Sequence, residues 1–274
     1  MNSILMLTIP ALLISVPPVQ AAASPWVTLE AGLEYAKFKA EVFSITGDSV
    51  IHILRVNPQR WDLVMLMSSE VSGGKNYSMK EWCGRYKLTA GINAGMYDVD
   101  LKRHIGYLKN YQHTNNAQAH PQYHSAAAFN PKQSDRPRFK IIDTDKNPLS
   151  KITEDYHTVV ENLRLIKRDR QNRWSQQGKK WSEAALGEDK SGNALFIFCR
   201  SPYSMYEFNN ILLSLPIDLV CAQHLEGGPE AQLYVISGDF ELDLMGSFET
   251  GFLESGGNVF RYAVPNVIGI RKKN

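Results

Sequence analysis

The stretch CAQHLEGGPEAQLYV, residues 221–235, decides the fold. It begins as an apolar strand, turns at a Gly-Gly-Pro sequence and resumes as a second strand over residues 231–236. His224, Glu226 and Glu230 lie around that turn. Turns at strand ends are places where a rigid scaffold presents reactive side chains, and glycine lets the backbone approach a ligand closely. We interpret this turn as a candidate site, with an ordinary solvated turn as the alternative.

A strand and a helix precede this stretch. Residues 194–199 form an apolar run, and Ser204 followed by Glu207 is the signature of a capping box. The helix behind the cap runs to about Leu215, and residues 219–225 return as a strand. The order strand, helix, strand predicts a crossover unit with two parallel strands.

The rest of the chain consists mainly of short apolar runs separated by turn residues. Alternating residues around Gly47-Asp48 predict a hairpin over residues 38–56, and Ser78 can cap a helix that ends near Arg85. Residues 266–270 predict a closing strand, whereas residues 144–157 have no regular pattern. These elements predict an α+β fold: one domain with a central mixed, mostly antiparallel sheet and a few flanking helices.

The N-terminal segment has the pattern of a secretory signal. Residues 4–16 are almost continuously apolar, and small residues follow, so we expect a signal peptide at residues 1–23. An uncleaved anchor is the alternative. We then expect a lead-in segment at 24–37 and the domain at 38–274. The protein would be periplasmic or secreted, without a stable membrane span after signal cleavage.

The net charge and the cysteine content indicate whether the protein binds nucleic acid and whether it contains disulfide bonds. The 274 residues carry a net charge of +2, which gives no basis for binding nucleic acid. The three cysteines are an odd number, so at least one thiol stays unpaired within the chain. Cys199 and Cys221 lie in apolar runs and are predicted to be buried small hydrophobic residues. The pairing of Cys83 is left open.

A second candidate loop lies at residues 93–97, NAGMY, where a short strand ends. Such a sequence can direct backbone N–H groups and an amide at an anion, or it can form a plain Asx turn. The polar stretch 98–124 contains four histidines. Their spacing favours a long polar loop near the site over a metal site, so we expect neither a metal nor another cofactor.

Four segments resemble the phosphodiester glycosidase family when they are taken in order. They are NAGMY with IGYL at 105–108, AALG at 184–187 with the strand and helix that follow, the 221–235 stretch, and VPNVIGI at 264–270. The resemblance spans about residues 38–271. It implies hydrolysis of a sugar-1-phosphodiester, with a carbohydrate as the partner.

The resemblance also implies a set of substrate-binding positions. Two positions match the Asn-Gly element, two match paired glycines, and two lie near positions occupied by Asn and Arg in many members: Asn93, Gly95, Gly227, Gly228, His224 and Arg200. Three acids depart from the family pattern. Glu226 replaces an Asp, Glu230 replaces a Ser, and Glu183 stands where an Arg is frequent. An acid there would repel a phosphate, and Lys179 or Lys180 could take over the lost cation.

Glycosidic cleavage needs one carboxylic acid and one carboxylate. We expect Glu226 and Glu230 to be this catalytic pair, with Glu183 as a third candidate. Asn93 would hold the substrate anion and Arg200 would offset its charge. One alternative is a non-catalytic protein for glycan binding or envelope polysaccharide assembly on the same fold. Another is a metal-assisted phosphodiesterase that uses His224, Glu226 and a loop histidine.

Overall fold

The computed structural model describes residues 24–247 and 261–273, so the expected signal peptide lies outside the described residues. The strands in chain order are β1 (Val27–Glu30), β2 (Leu33–Lys39), β3 (Val50–Val56), β4 (Trp61–Met67), β5 (Ala90–Asn93), β6 (Leu108–Asn110), β7 (His113–Asn116), β8 (Ser125–Pro131), β9 (Phe139–Asp143), β10 (Tyr156–Asn162), β11 (Arg164–Lys167), β12 (Gln171–Asn172), β13 (Trp181–Asp189), β14 (Ala194–Tyr203), β15 (Leu219–Gly227), β16 (Gln232–Ser237), β17 (Phe240–Met245) and β18 (Asn266–Lys272). The helices are α1 (Met79–Tyr86), α2 (Leu149–Asp155) and α3 (Met205–Ser214), and a 3-10 turn at Gly228–Glu230 joins β15 to β16.

The strands form three sheets. The largest has the order β1-β2-β3-β14-β13-β15-β11-β12, the second β7-β6-β10-β8-β9, and the third β17-β16-β5-β18-β4. The fold is thus α+β and rich in sheet, but the expectation of one central sheet is wrong. The strands are divided among three sheets, and strands that follow each other in the chain, such as β15 and β16, belong to different sheets.

One apolar core lies between the three sheets, and each helix covers an outer face. The central core draws residues from all three sheets, including Phe196, Phe129 and Ile268. The helix α3 packs on the large sheet, α1 on the third sheet and α2 on the second. Each Å² of apolar surface that is buried stabilises the fold by about 25 cal/mol, so this core is the main source of stability.

The expected crossover unit is present in a modified form. Both β14 and β15 pair with β13, and both pairings are antiparallel. The two strands therefore run in the same direction but are separated by β13 and do not pair with each other. All strand pairings in the described part of the chain are antiparallel, so the predicted mixed sheet is not found there.

The N-terminal hairpin begins earlier than predicted. The strand β2 pairs with β3 from Leu33 to Lys39, and residues 40–49 form the connection. The expected lead-in segment, residues 24–37, therefore supplies β1 and most of β2 to the large sheet. The alternating pattern beyond residue 39 misled the prediction, since Phe43 and Ile45 are exposed.

Both capped helices are confirmed, and one helix was not predicted. Ser78 and Ser204 each form a complete capping box, with Glu81 and Glu207 respectively. The helix α2 lies in the stretch predicted to be irregular. Its N-cap residue is Pro148, which makes no side-chain cap hydrogen bond, so the usual start signal is missing.

All three cysteines are buried and free, which confirms the prediction for Cys199 and Cys221 and leaves Cys83 unpaired as well. Burial raises the pKa of the Cys83 thiol to about 12. Among the described residues, the helices are too short or too polar for any of them to cross a membrane.

Candidate functional site

The site forms where the chain passes from β15 in the large sheet to β16 in the third sheet through the 3-10 turn. The pairing between β13 and β15 shifts at this place: Ala184 lies opposite Glu226 and Ala185 opposite His224, so Leu225 is an extra residue. A bulge of this kind redirects neighbouring side chains and is frequent beside active sites. It lets His224 and Glu226 take different surroundings although they are only two residues apart.

His224 and Glu183 form a buried pair. The His224 Nδ1 hydrogen bonds with Glu183 Oε1, and both residues are 3% exposed. The Trp181 Nε1–H donates to the other carboxylate oxygen at 2.9 Å. Burial alone would lower the His224 pKa, but the Glu183 charge and hydrogen bond, together with the Glu226 charge, raise it. When His224 is protonated, Glu183 therefore has a cation as its hydrogen-bond partner.

Glu226 is partly buried beside this pair. Its Oε1 accepts the Gly227 N–H at 3.1 Å. Burial raises the pKa of its carboxyl to about 7, and the charges of Glu230 and Glu183 contribute in the same direction. His224 and the Gly227 N–H oppose this rise. A carboxyl group that titrates near neutral pH is present in both its acid and its base form, as proton transfer requires.

Glu230 lies at the end of the 3-10 turn, and Asn93 holds this turn in place. The Asn93 Nδ2 donates to the Glu230 carbonyl at 2.9 Å, and its Oδ1 accepts the Gln232 N–H at 2.7 Å. Burial raises the pKa of the Glu230 carboxyl. The Asn93 amide thus bonds the backbone on both sides of Glu230. Its contacts are those of a clamp for the turn, and the predicted contact with a substrate anion stays a prediction.

Gly95 permits the close packing of the second candidate loop. Its φ is +151°, and a Cβ there would lie 2.2 Å from Asn162 Oδ1 and 2.3 Å from His104 Cε1. The Asn162 Nδ2 donates to the Ala94 carbonyl at 2.8 Å. Only glycine fits this position, so the structure explains why Gly95 is needed through packing, and its predicted role in substrate binding remains a prediction.

The paired glycines have a similar geometry. A Cβ on Gly227 would lie 2.6 Å from Trp181 Cδ1, and Gly228 has a φ of +64°. Gly227 thus lets the turn pass close to Trp181, which agrees with the close backbone approach expected from the sequence, whereas Gly228 supplies a left-handed backbone conformation. A role for them in substrate binding stays a prediction.

Two tyrosines that the sequence did not single out lie near Glu226. Burial raises the pKa of the Tyr97 phenol, and the charges of Glu226 and Glu230 add to this rise. The pKa of the Tyr123 phenol is raised by burial and then by the charges of Glu226 and Glu161. Tyr97 is the last residue of the NAGMY loop, so its position in this candidate loop could have identified it. Tyr123 lies in the polar stretch 98–124 and had no such signal.

Several polar atoms around the loop are buried without a hydrogen-bond partner within the described ranges. They include the Tyr123 hydroxyl, Asn162 Oδ1 and Gln223 Oε1. The Gln223 Nε2 donates to Ser125 Oγ, which in turn donates to the Asn162 carbonyl, so these residues form one neighbourhood. Two of the three atoms, Asn162 Oδ1 and Gln223 Oε1, can only accept hydrogen bonds.

Glu161 is a further buried acid that the sequence did not single out. It is 2% exposed, and its carboxylate accepts the backbone N–H groups of Tyr107 at 3.0 Å and His120 at 2.9 Å. Burial raises its pKa, and these two hydrogen bonds oppose the rise. Glu161 therefore ties the polar stretch to β10 and shapes the wall that carries Tyr123.

Arg200 lies on β14, next to the strand that carries Glu183. Its Nε donates to the Met245 carbonyl at 3.2 Å. Its expected role in offsetting substrate charge stays a prediction. Within the described residues, no group of three or more His, Cys, Asp or Glu side chains could hold a metal ion.

Comparison with known proteins supports the resemblance seen in the sequence. The model of the phosphodiester glycosidase family matches residues 86–271. The fold is similar to the catalytic domain of zebrafish N-acetylglucosamine-1-phosphodiester alpha-N-acetylglucosaminidase, auto-inhibited by pro-peptide, with a TM-score of 0.61 and 14% identity. That match covers 89% of this chain and 85% of the zebrafish chain.

The fold is also similar to a hypothetical protein from Synechocystis, with a TM-score of 0.65 and 14% identity over 93% of this chain. The match covers 65% of the Synechocystis chain. No curated protein matches the sequence significantly. At these identities the structural matches speak for the fold alone.

Proposed function

Because the chain belongs to the phosphodiester glycosidase family, we propose that it hydrolyses the glycosyl bond of a sugar-1-phosphodiester or a related anionic glycan. The reaction would take place at the turn that carries Glu226 and Glu230. The observation that carries this proposal is that Glu226 and Glu230 lie at one turn beside the buried pair of His224 and Glu183, where burial raises the pKa of the Glu226 carboxyl to about 7. A group with this pKa can give a proton to a leaving group at neutral pH and take one back afterwards.

In this proposal Glu226 is the general acid. It protonates the leaving-group oxygen while the bond between that oxygen and the anomeric carbon breaks. Glu230, the second carboxylate of the turn, takes the proton of the attacking water as general base. Asn93 acts through Glu230, because its side chain fixes the backbone on both sides of that residue. It is therefore a positioning residue.

The buried pair of His224 and Glu183 supports Glu226 in two ways. The imidazolium charge lowers the pKa of Glu226 against the effect of burial, so the carboxyl titrates at about 7 and not higher. The same charge offsets Glu183, which otherwise would repel an anionic substrate. Glu183 is therefore proposed as a positioning residue for His224 and not as a third acid.

Sugar binding is assigned to the polar neighbourhood beside the loop. Asn162 Oδ1 and Gln223 Oε1 are buried acceptors without a partner among the residues described. They can accept hydrogen bonds from two hydroxyl groups of a sugar. Gly95, Gly227 and Gly228 keep the backbone close enough for such contacts. The signal-like pattern at residues 1–23 supports a periplasmic or secreted location for the reaction.

The test is an activity screen of the purified protein on a panel of sugar-1-phosphodiesters and neutral aryl glycosides. We expect release of free sugar by the wild type and slower turnover in Glu226→Gln, with the fold unchanged by circular dichroism. The control is Glu154→Gln, which neutralises an exposed carboxylate on α2. Wild-type rates in Glu226→Gln would remove Glu226 from the mechanism.

The second candidate function is non-catalytic glycan binding or envelope polysaccharide assembly. One observation favours it. Asn93 and Glu183 lie at positions that the family resemblance singles out, but their side chains form hydrogen bonds with other groups of the protein. Saturable glycan binding by a well-folded wild type that forms no product would favour this function over hydrolysis.

A further inference from the structure

A cavity of about 570 Å³ lies away from the candidate site. The strand β18 connects the two places. The Ala94 N–H donates to the Asn266 carbonyl, so the start of β18 lies beside the NAGMY loop. Arg271, five residues further along β18, lines the cavity. At about 3.3 Å per residue, this separation is about 17 Å. Glu226 is not among the residues that line the cavity.

We propose that this cavity is a second binding site that accepts a small anionic sugar, that is, a phosphorylated or carboxylated monosaccharide unit. Its volume is within the range of about 300–1,000 Å³ that is usual for small-molecule sites.

The charge of the cavity wall carries the first part of the argument. Lys132, Arg138 and Arg271 all line the cavity. No salt bridge joins any of the three to a carboxylate of the described residues. The acid in the wall, Asp62, already lies 3.6 Å from Lys273 Nζ. The wall thus has an excess of positive charge.

The cations are held in place by neutral groups. The Arg138 Nε donates to Gln59 Oε1 at 3.1 Å, and one Arg271 nitrogen donates to the Tyr86 carbonyl at 3.1 Å. Each guanidinium has five N–H donors, so most of them stay available for an anion. The positive charges also act on Lys273, whose pKa is lowered by burial and then by the charge of Arg138. An anion bound between these groups would relieve their repulsion.

An aromatic ring on the same wall carries the second part. The Tyr111 side chain is 48% exposed, and its ring stacks on His157 with centroids 4.8 Å apart. Tyr111 has a φ of +48°, and Asn130, also in the wall, has a φ of +57°. Tyr111 is the first residue of the two-residue turn between β6 and β7, where a positive φ is usual, and this turn holds the ring at the wall of the cavity. The exposed ring offers a flat face to a sugar, while the cations take its anionic group.

The proposal is tested by isothermal titration calorimetry of the full-length protein with glucose 6-phosphate, glucuronate and glucose. We expect saturable binding of one or both acids, at least tenfold weaker binding of glucose, and an affinity that falls with added salt. The double variant Arg138→Gln/Arg271→Gln should weaken binding of the acid at least tenfold. Tyr111→Asn, which removes the ring and tolerates a positive φ, should weaken it as well.

Two controls distinguish binding in this cavity from a general effect of positive charge and from binding at the candidate active site. Lys37→Gln removes an exposed cation on β2, outside the cavity wall, and should leave the affinity unchanged. Glu226→Gln should also leave it unchanged, because the proposal does not involve the candidate active site. The proposal is overturned if the wild type shows no saturable binding of either acid, or if the double variant binds as well as the wild type. An equal loss of affinity in Lys37→Gln, or a loss in Glu226→Gln alone, would overturn it too.

Discussion

Replacing Glu226 by Gln should change how the stability of the protein depends on pH. The native state raises the pKa of this carboxyl from 4.5 to about 7, mainly through burial. Between these two pH values the native state keeps a proton that the unfolded state has already released. The free energy of unfolding of the wild type must therefore fall as pH rises through this range. Gln has no proton to lose, so the variant does not share this fall.

The expected size follows from the two pKa values. A difference of one pH unit corresponds to about 1.4 kcal/mol, so a carboxyl that titrates at about 7 in place of 4.5 costs the native state about 3 kcal/mol once it is ionised. The cost is absent below pH 4.5 and is complete above about pH 7. Because Glu226 is only partly buried and its charge is coupled to that of His224, we take about 3 kcal/mol as the upper limit.

The measurement is urea denaturation of the wild type and Glu226→Gln at several pH values from about 4.5 to about 8.5. We expect the stability of the variant relative to the wild type to rise by about 2–3 kcal/mol across the range. Glu154→Gln removes an exposed carboxylate and controls for the change in net charge. If the two stability curves of the wild type and Glu226→Gln run parallel, the pKa of Glu226 is not raised, and the case for it as general acid is lost.

Three further substitutions test the local geometry, each by thermal or urea denaturation. Asn93→Ala removes both hydrogen bonds to the turn and leaves their backbone partners unsatisfied, which should cost about 2–4 kcal/mol. Gly95→Ala places a Cβ 2.2 Å from a neighbouring amide oxygen and should cost at least about 1–3 kcal/mol, with loss of any activity. Ser204→Ala removes the N-cap of α3 and should cost about 1 kcal/mol, without an effect on the site.

Local signals made much of the fold predictable from the sequence. The turn at residues 227–229 is recognisable because a Gly-Gly-Pro sequence interrupts two apolar runs, and β15 and β16 indeed flank it. The starts of α1 and α3 are predictable from Ser78 and Ser204, because a capping box lies within four consecutive residues. These features depend on neighbours in the chain, so they are visible without knowledge of the tertiary structure.

The division of the strands into three sheets was not predictable in this way. Whether residues 38–46 or Leu33–Lys39 pair with β3 depends on which side chains the core can bury, and the exposed Phe43 shows that alternation alone is not enough. The helix α2 forms after a proline without a side-chain cap, and contacts with β8 and β10 hold it in place. Such packing involves partners that are distant in the sequence.

The sequence indicates that Glu226 and Glu230 share one turn, but it does not indicate which charged groups surround them, and their catalytic roles stay a prediction. Glu183 and His224 each depart from the family pattern, and each departure taken alone would harm an anion site or leave it unexplained. The structure joins them in one buried hydrogen-bonded pair, 41 residues apart in the chain. An interaction over this distance gives no signal in a single sequence. The two changes thus form one pair, in which a protonated His224 offsets the charge of Glu183.

This compensation bears on the leaving group that the proposed reaction would use. Glu183 hydrogen bonds with His224, so Glu226 and Glu230 are the two acids at the turn that remain for proton transfer. A phosphate leaves as a stable anion and needs little protonation, whereas the oxygen of an ordinary alcohol needs a proton. A carboxyl kept protonated up to about pH 7 is most useful for the second kind. With alkyl glycosides added to the substrate panel, Glu226→Gln should therefore slow the cleavage of alkyl glycosyl bonds more than that of activated phosphate or nitrophenyl bonds. An equal loss for both kinds would instead assign Glu226 a role in binding or as nucleophile.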